Sequence, residues 1–435
     1  MTAMEFPQAD IDSLWQASAP PPPEPQRLAG SRQAEIAVIG GGYTGLSTAH
    51  ALARQGVDVV VLEANRLGWG ASGRNGGVVS GKFRISYARM ARLWGLDVAR
   101  RMHGIGVAAM ENVADLLDEY DIDAQYRPSG SLRCAHRPEA LSALREECVW
   151  LRDVLGDRSV SMLDATEMHD EIGAKGFCGG MLNLRGGVIH PLRFHRGLAA
   201  GLRADGVAIH DESPVTAIEH LRGGGLNLHL PQGQLRVQQA VLATNAYSSL
   251  TPAGDAIRRR VVPFRSAMIA TGPLTGLSGA TLLGNGRSYT ETRRMMRWFR
   301  MSGGRLLYGG RGAFGQRDRA SAFAALERAL LRQFPQLEGQ EITHRWSGLV
   351  AMTMDSLPHV GRLDDRLVYA MGYNGTGVAM ASYMGRHVAA TVLNQPDDAG
   401  LITGLGLRNV PFYPAREIGV RLVAGWYQAL DALGK

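Results

Sequence analysis

Cysteine is scarce in this chain of 435 residues. Only three cysteines occur, Cys134, Cys148 and Cys178. An odd number of widely spaced cysteines forms neither a disulfide framework nor a Cys-x-x-Cys metal site. We therefore expect all three to be packing residues, and we expect no bound metal.

Long hydrophobic runs are also missing. No apolar stretch approaches the ~18 residues that a membrane-spanning helix needs. The N-terminal segment MTAMEFPQADIDSLW lacks the basic-then-apolar pattern of an export signal. The hydrophobic fraction of 45% and charged fraction of 20% are ordinary for a globular protein. These features predict a cytoplasmic protein that makes no membrane contact.

Lysine is nearly absent, although the formal net charge is +7. It occurs only at Lys82, Lys175 and Lys435, so arginine supplies almost all of the positive charge. The arginines are scattered among acidic residues, with short clusters at 258–260 and 293–294. Because no basic helix or basic–aromatic stripe is present, we expect no nucleic-acid partner.

Glycine, in contrast, is abundant at the start of the first clear helical pattern. The segment IAVIGGGYTGLSTAHALARQGVDVVVLEA, residues 36–64, contains Gly40, Gly42 and Gly45 in G-x-G-x-x-G spacing. These glycines permit a tight turn, close approach of the backbone to a pyrophosphate, and close packing of helix on sheet. Glu63 ends the next strand, where a carboxylate accepts hydrogen bonds from a ribose diol. The segment predicts a dinucleotide site but does not separate FAD from NAD.

Two further glycine-rich segments favour FAD. The first, ANRLGWGASGRNGGVVSGKF at 64–83, can lie along a long ligand and donate many backbone N–H groups. A nicotinamide enzyme does not need this second cradle, whereas FAD has both a pyrophosphate and a flavin ring to be lined. The second, GYNGTGV at 372–378, opens another helix, whose positive N-terminal end would face the flavin. Ordinary surface glycine turns are the alternative.

Together these segments resemble the D-amino-acid-oxidase-like superfamily of FAD oxidoreductases, and within it most closely the gamma-glutamylputrescine oxidase branch. VIHPLRF, RLLYGGR and WSGLVAMTMDSLPHVG belong to the same likeness, which extends over nearly the whole chain. The resemblance implies an α/β fold (α+β overall), with a Rossmann-like FAD-binding domain and an inserted mixed β-sheet substrate domain.

The resemblance also implies a division of the chain. We expect an N-terminal arm with a proline linker at 1–33, a discontinuous FAD-binding domain from 34–90, 180–255 and 340–400, a substrate domain from 91–179 and 256–339, and a C-terminal helical tail at 401–435. Trp15 is the residue expected to dock the arm on the body of the protein.

The activity that the resemblance implies is oxidation of a C–N bond. A gamma-glutamylputrescine-like or other substituted amine would become an imine by hydride transfer to flavin N5, as in polyamine catabolism. The electron acceptor would be O2 or another molecule. Two alternatives stay open, a D-amino-acid or N-methyl-amino-acid dehydrogenase and a non-catalytic flavin-binding protein. The oligomeric state is left open as well.

The motifs of the family assign the residues that would line FAD. They are Gly40, Gly42, Tyr43, Thr44, Gly45, Glu63, Ala64, Trp69, Gly70, Ala71, Ser72, Asn75, Gly76, Gly77, Val215, Thr244, Asn245, Gly348, Gly372, Asn374, Gly375, Thr376, Gly377 and Val378. Sarcosine-oxidase relatives attach the flavin to a cysteine whose place falls near Gly348, far in sequence from all three cysteines here. We therefore expect FAD that is not attached at that position.

Catalytic candidates are the polar residues near the flavin motifs. The relatives use a lysine in the strand near RLLYGG for oxygen activation, and that strand has no lysine here. Lys82 is the only lysine near a flavin motif, and His190 and Tyr373 complete the catalytic candidates. For each of the three, an ordinary structural or solvated role is the alternative.

Substrate candidates come from the strand-rich segment. Arginine binds carboxylates in a bidentate manner and tryptophan can wall a pocket, so the candidates are Arg265, Arg297, Trp298, Arg311 and Trp346. The alternatives are surface positions for the arginines and core packing for the tryptophans. Small amino-acid oxidases place a basic group after the C-terminal glycine motif, where this chain has Ala379. That difference argues against a short α-amino acid as substrate.

Overall fold

The computed structural model describes residues 12–174, 176–274, 282–313 and 320–432. The first eleven residues of the predicted arm and the last three of the predicted tail lie outside the described residues. The strands are β1 (Gly30–Gln33), β2 (Ile36–Ile39), β3 (Val59–Leu62), β4 (Val78–Val79), β5 (Ser131–Ala135), β6 (Val160–Leu163), β7 (Gly179–Asn183), β8 (Gly187–Val188), β9 (Ala208–His210), β10 (Ala217–His220), β11 (Leu226–Leu230), β12 (Gly233–Val237), β13 (Gln239–Leu242), β14 (Val262–Thr271), β15 (Ser288–Glu291), β16 (Arg297–Ser302), β17 (Arg305–Ala313), β18 (Ile342–Met352), β19 (His359–Arg362) and β20 (Leu367–Met371). The α-helices are α1 (Leu14–Ser18), α2 (Tyr43–Ala53), α3 (Tyr87–Trp94), α4 (Leu96–Glu119), α5 (Pro138–Val154), α6 (Ala165–Ile172), α7 (Pro191–Ala204), α8 (Ala320–Gln333), α9 (Gly377–Tyr383), α10 (Gly385–Val392), α11 (Leu401–Gly404) and α12 (Arg416–Ala432).

A six-stranded sheet carries the first and third glycine turns. Its order is β19-β20-β13-β2-β3-β9, and every neighbouring pair except β19–β20 is parallel. Strands β2 and β3 are buried along their whole length, as expected for apolar strands covered on both faces. The strands come from 36–62, 208–242 and 359–371, so a Rossmann-like sheet is assembled from three separated stretches.

Two different layers cover this sheet. Helices α2, α4, α7, α9 and α10 pack together on one face in the largest hydrophobic core. The four-stranded sheet β1-β12-β11-β10 packs on the other face. Helix α4 contributes Met102 and Val113 to the nucleotide-side core, although its sequence falls in the predicted substrate segment 91–179. The division of the chain into domains stays a prediction.

An eight-stranded mixed sheet forms the second large unit. Its order is β18-β14-β17-β16-β15-β5-β7-β6, with β15–β5 as the parallel pair. One face packs against helices α6 and α8 in a core that includes stacked Tyr289 and Phe299. Strands of this sheet lie between those of the six-stranded sheet along the chain. The mixed sheet is therefore inserted into the Rossmann-like fold, which confirms the predicted fold class.

The N-terminal arm is held down by Trp15, as predicted. This side chain is fully buried in α1 and its indole N–H donates to the Asn75 carbonyl at 2.8 Å. The arm then ends in β1, a short polar edge strand that pairs in parallel with β12. Apolar periodicity does not reveal such a strand, because its residues GSRQ bury no hydrophobic face.

The C-terminal tail ends in α12, which leaves large apolar side chains exposed. Ile418, Leu422 and Trp426 are each more than 60% exposed. Within the described ranges, no helix combines the length and the apolar character that crossing a bilayer requires.

Candidate active site

A cavity of about 670 Å³ lies between the six-stranded sheet and the eight-stranded sheet. Its two parts differ in what lines them. The glycine half is lined by residues 40–44, 63–65, 68–72, 74–76, 244–245, 348–350 and 373–378. The sheet half is lined by neutral residues that include Ser131, Met181, Asn183, Phe264, Ser266, Met268, Ser288, Thr290 and Trp298. Its charged lining residues include Lys82, Arg84, Arg133, Glu147, Asp157, Arg185, Glu291, Arg293 and Arg294. All three glycine-rich segments therefore meet at one cavity.

The first glycine turn is shaped by backbone proximity. Gly40 has a φ of 110°, in the region that favours glycine. A Cβ on Gly45 would lie 1.8 Å from the Gly40 carbonyl oxygen, so only glycine lets α2 approach the turn. Gly42 precedes the first residue of α2 and lines the cavity, whereas Gly45 lies behind it. The two glycines thus have different tasks, one facing the cavity and one permitting the packing.

Glu63 is held in place by backbone donors. The Gly41 N–H donates to its Oε2 at 2.8 Å, and the Asn65 N–H donates to its Oε1 at 3.0 Å. Burial raises the pKa of Glu63, and these N–H groups act in the opposite direction. Each carboxylate oxygen keeps a lone pair that can accept a hydrogen bond from a ligand hydroxyl in the cavity.

The second glycine loop is tied to the first. Ser72 Oγ accepts from the Tyr43 N–H at 3.0 Å, and Asn75 Oδ1 accepts from the Gly77 N–H at 2.8 Å. Gly77 has a φ of 64°, and a Cβ there would lie 2.1 Å from the Ile189 carbonyl oxygen. Gly77 therefore allows the chain to turn away under the loop, and it does not itself line the cavity.

Two tryptophans support this loop from behind. The indole N–H of Trp346 donates to the Arg74 carbonyl at 2.9 Å, beside the bond from Trp15 to Asn75. The two indole rings make an edge contact at 6.1 Å. Trp346 is 2% exposed and does not line the cavity. The prediction that it walls the substrate pocket is therefore wrong, because its indole is used to hold the loop.

The third glycine turn is joined to the first by side chains. The hydroxyls of Tyr373 and Thr44 hydrogen-bond at 2.6 Å, and Asn245 Oδ1 accepts from the Gly372 N–H at 3.0 Å. Asn374 Oδ1 accepts from the Thr353 N–H at 2.9 Å. Burial raises the pKa of Tyr373. Its buried hydroxyl links the two turns, and this contact favours a structural role over the predicted catalytic one.

His190 also has a structural environment. It precedes α7, where its Nδ1 accepts from the Arg193 N–H at 3.2 Å, so Nε2 carries the proton and donates to Ser18 Oγ at 3.1 Å. Burial, with help from Arg193 and Arg300, lowers the pKa of His190 to about 4. The side chain is 3% exposed and does not line the cavity. The structure therefore does not bring His190 to the site.

Lys82 lines the cavity, as Tyr373 does, but unlike Tyr373 it makes no hydrogen bond among the described residues that joins two glycine turns. The exposed surface of its side chain faces the cavity, whose walls exclude much of the bulk water. Desolvation by these walls lowers the pKa of Lys82 to about 8. Arg133 and Arg84 lower this pKa further, while Glu147 raises it.

The alternation of side chains along the strands separates the substrate candidates. Phe264 and Ser266 line the cavity, whereas Arg265 points to the other face of β14 and hydrogen-bonds the Ser347 hydroxyl. In β16 the same alternation brings Trp298 to the cavity. Arg297 lies on the opposite face, 3.8 Å from the buried Glu291 carboxylate. Arg265 and Arg297 are therefore not brought together with Trp298.

Arg311 can be placed only by its backbone. It pairs with Ser266 in the β14–β17 ladder, and its side chain lies outside the described part of the structure.

Val215 and Thr244 also reach the cavity, as the family motifs imply. Gly372 does not line it, because its α-carbon faces Thr353, whose Cγ2 would lie 2.4 Å from a Cβ at this position.

Sequence reasoning missed three residues of the site. His195 lines the glycine half, and its Nε2–H donates to the Gly41 carbonyl at 2.6 Å. Arg133 and Glu147 line the cavity near Lys82 and form an ion pair at 2.6 Å. The strand sequence SLRCA predicts that Arg133 and Leu132 point to opposite faces of a sheet. Nothing in the sequence indicates which of the two faces borders the site.

Comparison with known proteins identifies the family. Residues 35–391 match the family model described as DAO, FAD dependent oxidoreductase. The chain belongs to the DAO family. It is therefore an FAD-dependent oxidoreductase, as the sequence resemblance implied.

Several known proteins resemble this chain over most of its length. Gamma-glutamylputrescine oxidoreductase of Escherichia coli is 32% identical and the match covers 92% of this chain and 93% of that protein. Glycine oxidase of Bacillus licheniformis is 24% identical over 82% of this chain and 93% of that protein. Among solved structures, glycine oxidase from Geobacillus kaustophilus has a TM-score of 0.71 at 21% identity, covering 87% of this chain and 99% of that one. The last likeness supports the DAO-family fold.

The glycine half fits the FAD that the DAO family uses. A Cβ on Gly42 would come within 3.1 Å of Ser72 Oγ and narrow the cradle between the first two turns. The indole N–H of Trp69 is buried at the cavity wall and has no acceptor among the described residues. His195 Nδ1 is also buried, and no donor among the described residues hydrogen-bonds to it. These groups and the free lone pairs of Glu63 are suited to a polar ligand such as the nucleotide part of FAD.

Proposed function

We propose that this chain oxidises a C–N bond of a substituted amine of the gamma-glutamylputrescine kind to an imine. The observation that carries the proposal is the single cavity that joins the glycine half to the polar sheet half. The similarity to gamma-glutamylputrescine oxidoreductase over 92% of the chain supports the amine class.

The glycine half would hold FAD, with Glu63 at the ribose and the first two glycine segments along the pyrophosphate. When bound there, FAD supplies the two-electron oxidation that no side chain can perform. None of the three cysteines lines the cavity, and Cys134 and Cys148 are buried elsewhere. This placement supports FAD that is bound without a covalent link to cysteine.

The side chains of the site would orient the amine and control its proton. An amine must be neutral before it can be oxidised, and a cavity with little water favours the neutral form. Trp298 lies against Gly76, 3.3 Å from where a Cβ would be, and so forms the wall where the two halves meet. Of the three catalytic candidates, Lys82 alone has an amine in the cavity, and the pKa of that amine is lowered to about 8.

The test is a panel of amines mixed with the holoenzyme without oxygen. We expect gamma-glutamylputrescine to bleach the flavin absorbance near 450 nm, and free putrescine, glycine, sarcosine and D-alanine to bleach it much more slowly. Reduction with dithionite is the control that the flavin can be bleached. Fast bleaching by an amino acid alone would instead support the dehydrogenase alternative. Bleaching by no amine would support a non-catalytic flavoprotein.

Release of hydrogen peroxide under air separates the two classes of electron acceptor. An oxidase would form one peroxide for each amine consumed. A dehydrogenase would turn over only after an artificial acceptor is added.

A further inference from the structure

The sheet half of the cavity contains a charged cluster at its far end. We define the Arg133 cluster as Lys82, Arg133 and Glu147. All three residues line the cavity, and Arg133 Nη1 lies 2.6 Å from Glu147 Oε1. The Arg133 and Glu147 side chains are 34% and 31% exposed, so about two-thirds of each is covered. The cluster is therefore a partly buried group of opposite charges that a ligand in the cavity can reach.

The strand register directs Arg133 toward the cavity. Arg133 pairs with Met181 on β7 and with Thr290 on β15, and both of these residues line the cavity. Its neighbours Leu132 and Cys134 point the opposite way, into the core beneath α6 and α8. The orientation of Arg133 is thus set by the sheet and not by a mobile loop.

The Arg133 cluster has more positive than negative charge. The charges of Arg133 and Glu147 both affect the pKa of Lys82. Among the described residues, no carboxylate lies at ion-pair distance from the Lys82 ammonium. Two cations and one carboxylate match an α-amino carboxylate group. Its carboxylate can contact the cations, and its ammonium can contact Glu147.

Between this cluster and the glycine half, the Ser288 and Thr290 hydroxyls and the Trp298 indole line one face of the sheet, and Glu291, Arg293 and Arg294 also border the cavity. Ser288 is 1% exposed, lines the cavity, and its hydroxyl has no partner among the described residues. Thr290 and Trp298 lie next to it along the same sheet face. A buried hydroxyl without a partner is suited to hydrogen-bond an amide. The Ser288 hydroxyl is therefore suited to a neutral polar link such as an amide.

The sheet order separates the two ends of the cavity. Gly348, at the glycine half, is on β18, and Arg133 is on β5, five strands away. At about 4.8 Å for each strand spacing, the separation along the sheet is roughly 24 Å. A short amino acid cannot bridge this distance. An elongated substrate can do so together with the FAD at one end and the Arg133 side chain at the other.

From these observations we propose that the Arg133 cluster binds the α-amino carboxylate head of an elongated substrate, with the Ser288 hydroxyl on its amide link. This rests on the proposed function, because it places the reacting amine of a gamma-glutamylated diamine at the glycine half. The proposal assigns Lys82 to substrate binding and not to proton transfer.

The test uses the holoenzyme and gamma-glutamylbutylamide, a ligand that has the head group and the amide but no amine to oxidise. Binding is measured by calorimetry and by the change it causes in the flavin spectrum. We expect Arg133→Gln and Lys82→Met each to weaken binding roughly 10- to 100-fold, as for loss of a charged hydrogen bond. Glu147→Gln should weaken binding less, because Arg133 can still contact the carboxylate of the ligand.

Matched controls come from the same helix as Glu147. Glu146→Gln and Arg145→Gln change exposed residues that do not line the cavity, and they should leave binding unchanged. Butyramide, which lacks the head group, should bind equally weakly to wild type and to Arg133→Gln. In the absence of ligand, each variant should have the same flavin spectrum as wild type, which would show that the fold and the FAD site are intact.

Two results would overturn the inference. One is that wild type does not bind gamma-glutamylbutylamide, and the other is that the cluster variants bind it as wild type does. If Lys82→Met lowers kcat without changing affinity, Lys82 acts in proton transfer and not in binding. The two overturning results are measured by binding alone, so they are distinct from failure of the proposed function, which is the absence of amine-dependent bleaching.

Discussion

The two halves of the cavity are built in opposite ways. The glycine half is formed largely by backbone groups of consecutive residues, as at Gly40–Gly42 and around Ser72. The sheet half is formed by side chains that come from strands far apart in sequence, such as Arg133, Ser266 and Ser288. A ligand bound by backbone amides requires particular local conformations, whereas a ligand bound by side chains requires a particular sheet register. The first half is therefore common to a family, and the second can differ between its members.

Support for the two halves also differs. The second glycine loop is held from behind by Trp15 and Trp346, which lie about 60 and 270 residues from it in sequence. In the sheet half, Arg133 and Ser288 stand on hydrogen-bonded strands. If this contrast holds, changes to backbone packing or to the supporting tryptophans should weaken FAD binding.

The largest expected effect is at the first glycine turn. Gly45→Ala places a methyl group 1.8 Å from the Gly40 carbonyl oxygen, so α2 must move away from the strand. Overpacking at such a backbone contact should lower the free energy of unfolding by about 3 kcal/mol and prevent retention of FAD. Thermal melting and the flavin-to-protein absorbance ratio measure both effects.

Gly104→Ala is the matched control for that change. Gly104 is in α4, and a Cβ there would have no neighbour within 4 Å. Its stability should equal or exceed that of wild type, since alanine favours a helix. A Gly45→Ala protein that melts and binds FAD like wild type would refute the idea that backbone packing limits the glycine half.

The next effect is at Glu63. Glu63→Gln would turn one acceptor oxygen into an NH2 group facing the N–H of Gly41 or Asn65, which both donate to it now. We expect the FAD dissociation constant to rise roughly 10- to 100-fold, as when a buried charged acceptor is lost. Titration of the apoprotein with FAD, followed by flavin fluorescence, measures this. Glu338→Gln, an exposed change, is the control, and equal affinities in the two variants would contradict the assignment.

A smaller effect is expected at the support of the loop. Trp15→Phe keeps most of the ring but removes the donor to the Asn75 carbonyl. Loss of one buried hydrogen bond should cost about 1 kcal/mol, which is about a fivefold rise in the FAD dissociation constant. The same titration checks it, with Trp426→Phe on the exposed tail as control. If affinity is unchanged and only the melting temperature falls, the arm stabilises the fold without supporting the loop.

The smallest expected effect is in the sheet half, where ligand binding should depend on the protonation of Lys82. The pKa of Lys82 is lowered to about 8, chiefly by desolvation, so its amine is charged below that pH and neutral above it. The contact between Lys82 and the carboxylate of the head group should therefore weaken as pH rises through about 8, and affinity should fall about threefold between pH 7.5 and 8.5. Affinity for gamma-glutamylbutylamide between pH 6.5 and 9.5 measures this. The decline near pH 8 should be absent in Lys82→Met, and its persistence there would assign it to another group.

Much of the glycine half could be predicted from the sequence, because the turns are local. The spacing of Gly40, Gly42 and Gly45 and the position of Glu63 are properties of one strand–turn–helix–strand unit. Candidates defined by residue type alone fared differently. His190 and Trp346 are polar or aromatic residues near the right motifs, but their hydrogen bonds go to Ser18 and Arg74 and not into the cavity.

In the sheet half, alternation along a strand is visible in sequence but its phase is not. Arg265 and Arg297 lie one residue from cavity-lining positions and face away, while Arg133 faces the cavity. A shift by one residue moves a side chain to the other face. The phase depends on which face of the sheet covers the other domain, and that is decided by packing between segments far apart in the chain.

By itself, the sequence determined the glycine turns, the family to which they belong and hence the use of FAD, because a local run of backbone conformations needs particular residues at particular spacing. Tertiary structure alone decided that three glycine-rich segments share one cavity and that Trp15 supports one of them. It also brought Lys82, Arg133 and Glu147 together at the far end. These are contacts between residues distant in sequence, whose formation depends on sheet order and register, and no short stretch of sequence contains that information.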